Sequence, residues 1–306
     1  MGIDTASYAS SSGGVTVFLD GTAGVGGDAA GDTLDNVENL VGSGFDDLLF
    51  DGAGANSING GDGRDNIVAL NGGSDTLNGG DENDIIFAND GAVDTIDGGA
   101  GIDLLSFTNA SAALTIDLAT PANSSAVVSQ DVVSNIEGYL GAASFANTFV
   151  GDGNNNFYLG GAQSDVISGG DGADYLVGLG GDDTINGGTG FDVIDGGAGL
   201  DLLFGGADQD AFQIILNAGT EVAMDWTGAG GDGDGDIFLL RGTGESFANL
   251  TGTFVDHASG DIVGGYTVSS TVAASFVVGS GGSATTVVVE GATALQLDDA
   301  ANFLFL

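Results

Sequence analysis

The sequence predicts an all-β fold, a parallel β-solenoid, from one nine-residue phrase that recurs seven times without insertion over residues 151–213. The eighth place of each phrase is bulky and apolar, and a strict nine-residue step fits no helical period. The sixth place is aspartate in six of the seven phrases, and glycine fills the first, second and usually the fourth places. We therefore expect six residues of each phrase to turn and three to form a short strand. The eighth-place residues, called the ladder below, are Tyr158, Ile167, Leu176, Ile185, Ile194, Leu203 and Phe212.

The turns of these phrases are suited to hold a hard cation. Glycine reaches positive φ and lets a backbone carbonyl approach a ligand closely, while the aspartate supplies an anionic oxygen. Two phrases make one coil of eighteen residues, so each loop lies over the loop two phrases earlier and the ladder is buried between two thin sheets. A calcium ion between two such loops could take glycine carbonyl oxygens from both loops and one carboxylate oxygen from each aspartate, which meets its demand for about six to eight oxygens.

This register predicts which residues share an ion. The paired aspartates are Asp165 with Asp183, Asp183 with Asp201, Asp174 with Asp192, and Asp192 with Asp210. The glycines expected in these sites are Gly160, Gly161, Gly169, Gly170, Gly172, Gly178, Gly180, Gly187, Gly188, Gly190, Gly196, Gly197, Gly199, Gly205 and Gly206.

The phrase resembles the nonapeptide G-G-x-G-x-D-x-U-x of the repeats-in-toxin (RTX) family of hemolysin-type calcium-binding proteins, which forms a parallel β-roll. The resemblance covers residues 42–105 and 151–213 as repeats. It implies several Ca²⁺ ions as cofactors, export by type I secretion machinery, and a bacterial protein that is extracellular or on the cell surface. A disordered Gly/Asp-rich linker is the alternative, but it would not keep aspartates and apolar residues in register.

The charge of the chain restricts its partners. The formal net charge is −42 with only two basic residues, Arg64 and Arg241, and the acidic residues are nearly all aspartate. Such a charge excludes nucleic acid and anionic membranes as direct partners. No stretch is long and apolar enough to insert in a membrane, and the N-terminus lacks a secretory signal, although the chain may be read as beginning inside a longer protein. Cysteine is absent, so calcium is the remaining candidate for a structural staple.

Five segments are predicted in chain order. Residues 2–61 and 101–160 align as copies of one larger unit, in which runs such as Val15-Val17-Leu19 and Leu114-Ile116-Leu118 alternate as strands. The segments are 1–41, the wide-coil start of the solenoid; 42–105, a first calcium-repeat block; 106–150, a wide-coil insertion; 151–213, the second calcium-repeat block; and 214–306, a β-rich C-terminal cap.

The first block continues the ladder with steps of nine or ten residues. Its expected calcium pairs are Asp47 with Asp65, Asp65 with Asp84, and Asp84 with Asp103. Two one-residue insertions interrupt the loops, and an inserted residue is expected to shift carbonyls by more than a coordination distance allows. The ladder residues here are Leu49, Ile58, Ile67, Leu77, Ile86, Ile96 and Leu105.

After Phe212 the phrase stops and β-rich runs follow, as needed to close an open apolar end. The order of motifs, from Asp225-Trp226 to a final apolar tail, resembles the C-terminal cap of the same family. Residues 297–306 are acidic and then apolar, which resembles the uncleaved signal that type I machinery reads. The alternative is an ordinary last strand of the cap, and both roles can coexist.

No catalytic group is expected. His257 is the only histidine, there is no cysteine nucleophile, and no G-x-S-x-G elbow occurs. Glu38 and Glu137 occupy equivalent places in the two long copies, which favours a structural role over a pair of glycosidase carboxylates. An extra cation on Asp232, Asp234 and Asp236 is left open.

The function predicted from these patterns is that of a secreted calcium-binding β-roll protein, or the C-terminal part of one, that folds on calcium after export. One alternative is the export and folding module of a larger secreted enzyme such as a protease or lipase. The other is a structural protein of a surface layer, adhesin or biofilm matrix, in which calcium would also drive self-assembly.

Overall fold

A computed structural model describes residues 2–125, 128 and 130–215, then the strands between 220 and 305 named below, with side chains described through Gln213. The predicted all-β parallel β-solenoid is confirmed. Among the described residues, 3-10 turns lie at Gly27–Ala29 and Pro121–Asn123, and residue 128 is helical. No helix among the described residues is long and apolar enough to cross a membrane.

The chain alternates between short strands and tight loops. The first thirteen strands are β1 (Thr5–Ser7), β2 (Thr16–Phe18), β3 (Asn39–Val41), β4 (Leu48–Phe50), β5 (Ser57–Asp62), β6 (Asn66–Val68), β7 (Thr76–Asp81), β8 (Ile85–Phe87), β9 (Thr95–Ala100), β10 (Leu104–Ser106), β11 (Thr115–Asp117), β12 (Val132–Ser134) and β13 (Gly138–Leu140). The strands that follow are β14 (Thr148–Val150), β15 (Phe157–Gly161), β16 (Val166–Asp171), β17 (Tyr175–Leu179), β18 (Thr184–Thr189), β19 (Val193–Asp195), β20 (Leu200–Ala207), β21 (Ala211–Ile215), β22 (Thr220–Met224), β23 (Ile237–Arg241), β24 (Val255–His257), β25 (Ile262–Val263), β26 (Tyr266–Thr267), β27 (Ala273–Val278), β28 (Thr285–Glu290) and β29 (Phe303–Phe305).

The chain divides into two compact units. Unit 1 comprises Met1–Ala110 and Pro121–Gly141, and unit 2 comprises Ser111–Thr120 and Ala142–Leu306. Within unit 1 the strands form two parallel sheets, in the orders β1-β3-β5-β7-β9-β12 and β2-β4-β6-β8-β10-β13. Within unit 2 the orders are β15-β17-β19-β21-β23-β29 and β11-β14-β16-β18-β20-β22-β28-β27-β24. From β1 to β10 and from β14 to β23, consecutive strands alternate between the two sheets of their unit, because each loop turns the chain by half a coil. Among the C-terminal strands, β27 and β28 are neighbours in one sheet, and β25 and β26 form a separate antiparallel pair.

The ladder forms the core, as the periodicity predicts. Equivalent ladder residues of consecutive coils are direct neighbours, for example Ile167 with Ile185 and Ile185 with Leu203. No ladder residue of either block is more than 1% exposed. Burying one Leu or Ile side chain stabilises a fold by about 1.5–3 kcal/mol. The ladder is therefore the main apolar contribution, and it sets the register that positions every loop.

Wider coils occur beside the regular ones in unit 1. The hydrogen bond from Val15 to Asp47 spans 32 residues, whereas the bond from Asp47 to Asp65 spans 18. The bond from Asp103 to Glu137 spans 34 residues. The strands keep parallel register across these wide coils, so the additional residues are accommodated in the loops.

The two inserted residues of the first block fall on the same edge of unit 1. Both ten-residue steps, Ile67 to Leu77 and Ile86 to Ile96, run from the sheet of β6 and β8 to the sheet of β7 and β9. The opposite loops, which carry the predicted site aspartates, are not lengthened. This corrects the expectation that the insertions disturb those sites: each insertion lengthens the coil from 18 to 19 residues and leaves the loops of Asp65 and Asp84 in register.

The C-terminal strands extend both sheets of unit 2, and the order ends with antiparallel pairing of β28 with β27 and of β27 with β24. These strands lie in the segment 214–306, for which the sequence predicts a β-rich cap. Strand β29 pairs in parallel with β23, with Phe303 opposite Phe238. The motif Asp225-Trp226, the carboxylates of residues 232–236 and the acidic stretch 297–302 lie outside the described residues, and of His257 only its place in β24 is described.

Candidate metal centre

Aspartates stack in columns along the edges of both units. Each aspartate lies two residues before a ladder residue, and its backbone N–H donates to Oδ1 of the aspartate in the next coil. The N–H of Asp165 lies 2.7 Å from Oδ1 of Asp183, and the N–H of Asp183 lies 2.9 Å from Oδ1 of Asp201. The columns of unit 2 are Asn147-Asp165-Asp183-Asp201 and Asn156-Asp174-Asp192-Asp210. Those of unit 1 are Asp47-Asp65-Asp84-Asp103-Glu137 and Asn56-Asp75-Asp94-Asp131.

The second carboxylate oxygen of the inner aspartates has no partner. In each of these side chains Oδ1 accepts the hydrogen bond of the column, while Oδ2 is buried without a hydrogen bond. A buried acceptor without a partner costs about 1–3 kcal/mol, and more if it is charged. These oxygens therefore require a proton or a cation. They belong to Asp65, Asp75, Asp84, Asp94, Asp103, Asp174, Asp183, Asp192 and Asp201.

The first glycine of each nine-residue loop leaves the space into which these oxygens point. A Cβ atom at Gly169 would meet Oδ2 of Asp174 and the carbonyl oxygen of Gly187, one coil further on. A carboxylate oxygen and a backbone carbonyl oxygen thus converge on one cradle that any side chain would fill. Equivalent convergence occurs beside Gly60, Gly79, Gly160, Gly178 and Gly187.

The donor set fits calcium. Every donor at these cradles is an oxygen, whereas zinc and copper sites in proteins use nitrogen or sulfur ligands. In the described part of the chain no three carboxylate or imidazole side chains gather around one point. Backbone carbonyls at the cradles, such as that of Gly187, would supply further oxygens, which the flexible coordination of calcium by about six to eight oxygens accepts.

The electrostatics of the columns also favours a cation. Burial raises the pKa of Asp65, Asp84 and Asp183 to about 7, and that of Asp192 to about 6. Neighbouring carboxylates act in the same direction, as Asp201 does on the pKa of Asp183. The hydrogen bond from the neighbouring backbone N–H opposes the shift at each site. A bound cation would reverse the balance, because its charge stabilises the ionised form of every carboxylate around it.

Not all predicted site residues have the same surroundings. Asp47, the first residue of its column, and Asp165, which follows Asn147, have both carboxylate oxygens hydrogen-bonded, and Oδ2 of Asp165 accepts the N–H of Gly161 at 2.8 Å. The structure thus distinguishes these two aspartates from the inner ones, whose Oδ2 atoms lack partners.

The loop of Asp183 departs from the glycine pattern. Leu179 takes the second-glycine place with φ 76°, and Gly181 takes the fourth place with φ 109°. The predicted site residue Gly180 lies between them, and the atom nearest to a Cβ built on it is the carbonyl oxygen of Ala198, at 3.8 Å.

Sequence reasoning missed one column. Asp75 and Asp94 were not among the predicted site residues, yet the N–H of Asp75 lies 2.8 Å from Oδ1 of Asp94 and both Oδ2 atoms are buried without a partner. Neither loop has glycine at the first and second places of the phrase, although the loop of Asp75 contains Gly72-Gly73 further on. The signal that identifies them is their position two residues before Leu77 and Ile96 of the ladder.

Glu38 and Glu137 take the aspartate place where a wide coil closes. Oε2 of Glu38 accepts the N–H of Asp4 at 2.9 Å, and Oε2 of Glu137 accepts the N–H of Asp103 at 2.8 Å. Each glutamate thus accepts the backbone N–H of an aspartate across a wide coil, in agreement with the structural role that their equivalent sequence positions favour.

One family model matches both repeat blocks of the chain. A family model described as the RTX calcium-binding nonapeptide repeat matches four times, at residues 41–73, 70–105, 150–185 and 177–211. Among solved structures, the extracellular lipase LipA from Serratia marcescens is similar at 14% identity with a TM-score of 0.34, over 94% of this chain and 42% of the lipase. The chain thus spans well under half the length of that protein. No curated protein sequence matches the chain.

Proposed function

We propose that this chain, which carries RTX calcium-binding nonapeptide repeats, is a secreted calcium-binding β-roll protein, or the C-terminal module of one, whose bound calcium drives folding after export. The proposal includes export from a bacterium by type I secretion machinery, to the medium or the cell surface. The observation that carries it is the column of buried aspartates, each with one carboxylate oxygen that has no partner in the protein.

The proposed mechanism is thermodynamic linkage. A ligand present at ten times its dissociation constant adds about 1.4 kcal/mol of stability per site, so four sites add roughly 5–6 kcal/mol, comparable with the net stability of a domain. In a compartment poor in calcium this contribution is absent, while the buried carboxylates oppose folding. The chain would then remain loose enough to pass a secretion channel and fold outside the cell.

In this proposal the repeats act by binding rather than by catalysis. Their aspartates are engaged in the columns, where Oδ1 accepts a backbone N–H and Oδ2 faces the cradle. The side chains that could otherwise serve as acids or bases thus hold the loops in register. We assign no residue of the two repeat blocks a role as acid, base or nucleophile.

A calcium titration tests the folding step. We expect the chain in excess chelator at pH 7.5 to show little β-signal by circular dichroism and an expanded radius by light scattering. Millimolar calcium should convert it to a compact β-rich form, whereas millimolar magnesium should not, because magnesium demands near-octahedral geometry and keeps its waters. Equal β-signal with and without calcium would refute the proposal.

Export needs a test of its own. Deleting residues 297–306 should abolish secretion by a type I system, but the deletion also removes β29, which pairs with β23. We therefore compare it with Phe303→Asp combined with Phe305→Asp. If the tail is a signal, this double variant is retained in the cell while the purified protein still folds on calcium. Normal export of the double variant would mean that the tail is only a strand of the cap.

A further inference from the structure

One edge of unit 1 is built differently from every other repeat edge. We call it the ten-residue edge, formed by loops 69–75 and 88–94, and the opposite edge, with the loops of Asp65 and Asp84, the nine-residue edge. In the ten-residue edge the first-glycine place is taken by Ala69 and Ala88, both buried. A buried methyl group thus stands at the place where the loop of the nine-residue edge has Gly79 and no side chain.

The ten-residue edge contains carboxylate oxygens that accept no hydrogen bond. Asp75 and Asp94 are 2% and 0% exposed, and the Oδ2 atom of each is buried without a partner. The Oδ1 atoms are satisfied, because Asp75 accepts the N–H of Asn56 and Asp94 accepts the N–H of Asp75, both at 2.8 Å. Each side chain therefore keeps one open oxygen after its structural role is fulfilled.

A third open oxygen belongs to Asp90, which has no counterpart of this kind in the nine-residue edge. Oδ1 of Asp90 accepts the N–H of Ala92 at 2.7 Å, while Oδ2 is buried without a partner. The residue at the same distance from the ladder in the nine-residue edge is Asp81, which is exposed. The acidic residue Asp51 is different, because Asn71 bonds both of its oxygens, at 2.8 and 2.7 Å.

We propose that the ten-residue edge of unit 1 is a calcium site of a second kind, in which the open carboxylate oxygens of Asp75, Asp90 and Asp94 take the part that glycine carbonyls play in the nine-residue loops. This inference rests on the proposed calcium-binding function and extends it to loops outside the nine-residue phrase. Because no three acidic side chains of the described residues enclose one point, loop carbonyls and water complete the shell of an ion held by one or two of these carboxylates.

The charge distribution agrees with this placement. Burial is the main cause of the raised pKa values of Asp51, Asp75, Asp94 and Asp131, and the charge of Asp90 adds to the shift in all four. A divalent ion beside Asp90 would offset repulsion along the whole edge.

Native mass spectrometry tests the proposal, because it resolves the number of calcium ions bound to each chain. Asp90→Asn is the test variant, and Asp81→Asn, which removes the same charge from an exposed place on the nine-residue edge, is its matched control. Asp84→Asn reports on the nine-residue edge itself. We expect the Asp90 and Asp84 variants each to carry at least one ion fewer than the parent chain, and the Asp81 variant to carry the same number.

The outcomes separate this proposal from the function on which it rests. A parent chain that binds no calcium overturns both. An Asp84 variant that loses an ion, beside Asp75 and Asp90 variants that both keep the full number, overturns only the second kind of site. Asp75→Asn provides a second count, since its Oδ1 can still accept the N–H of Asn56. Circular dichroism in saturating calcium must match the parent chain for the variants counted, and full ion numbers in both Asp75 and Asp90 variants refute the proposal.

Discussion

In unit 1 the two edges of the solenoid differ by one residue per loop, whereas in unit 2 both edges are built from nine-residue phrases. The hydrogen bond of the column is the same in either case. The N–H of Asp65 reaches Oδ1 of Asp84 at 2.8 Å on the nine-residue edge, and that of Asp75 reaches Oδ1 of Asp94 at 2.8 Å on the ten-residue edge. The column therefore depends on the distance of the aspartate from the ladder, not on the glycines that precede it.

The glycines determine how much space surrounds the second carboxylate oxygen of the aspartate. Beside Gly79 that space is open and receives Oδ2 of Asp84 together with a carbonyl oxygen, while Ala88 fills the corresponding place on the other edge. Two properties that the nine-residue phrase combines, a stacked column and an open cradle, are thus separable. The experiments below test that separation, starting with the largest expected effect.

The first prediction concerns the calcium-free chain at different pH values. Both edges contain aspartates whose pKa burial raises, to about 7 for Asp65 and Asp84 and to about 6 for Asp75. In the unfolded chain these groups titrate near 4. The stability they contribute is therefore full below about pH 4 and is lost as the pH rises through about 6 to 7. We expect the β-signal in chelator to grow as the pH falls from 8 to 5.

Calcium should reverse this dependence, because protons compete with the ion for the same oxygens. The calcium concentration at half-folding should therefore rise as the pH falls below about 7. Scattering recorded with the spectra identifies precipitation near the isoelectric point of about 4.1. A β-signal in chelator that does not change between pH 8 and 5 contradicts the assignment of buried, partnerless carboxylates to either edge.

The second prediction exchanges the first-place residues of the two edges. Gly79→Ala places a methyl group against Oδ2 of Asp84 and the carbonyl oxygen of Gly98, so both the loop packing and the cradle are lost. Overpacking alone costs about 1–3 kcal/mol, to which the lost ion adds. Ala88→Gly removes one buried methyl group and should cost only about 1 kcal/mol. Calcium-dependent thermal unfolding of both variants measures the difference, and equal losses would mean that the edges do not differ in this way.

The third prediction concerns the removal of one buried negative charge from a column. Asp84→Asn keeps an Oδ1 acceptor for the N–H of Asp65 but removes the open anionic oxygen. It should raise the calcium midpoint severalfold and, in chelator, make the chain easier to fold. Asp62→Asn, at an exposed place on the same edge, is the control and should leave the calcium midpoint nearly unchanged. A shift of the same size in both variants would show that only total charge matters.

The smallest expected effect comes from the fourth place of the nine-residue loop. Glu82 stands where the phrase usually has glycine and keeps the left-handed conformation, with φ 77°. Because this region costs a non-glycine residue about 1 kcal/mol, Glu82→Gly should stabilise the calcium-bound form by up to that amount. Glu82→Ala, which removes the same side chain without freeing the backbone, should not. Denaturant unfolding in saturating calcium distinguishes them.

The sequence predicts the solenoid well because the ladder is a long-range pattern with a strict period. It also predicts the loop register, since Ile167 and Ile185 must meet in any coil of eighteen residues. The column of Asp75 does not follow from the nine-residue phrase, because an inserted residue changes the spacing from the preceding ladder residue and leaves only the two-residue spacing to the next one constant. The second hydrogen bond on Asp165 could not be predicted either. It occurs beside Asn147, which takes the aspartate place in the preceding coil.

The wide coils of unit 1 have a consequence for how a repetitive chain finds its alignment. Because every hydrogen bond in a column joins the same two groups, these bonds alone do not fix which coil pairs with which. A slip by a whole coil, of 18 or 19 residues, would satisfy nearly every donor in the column. The coils of 32 and 34 residues on either side of the regular ones cannot take part in such a slip, because their loops fit only one place. The wide coils therefore fix the register of the regular coils that lie between them in unit 1.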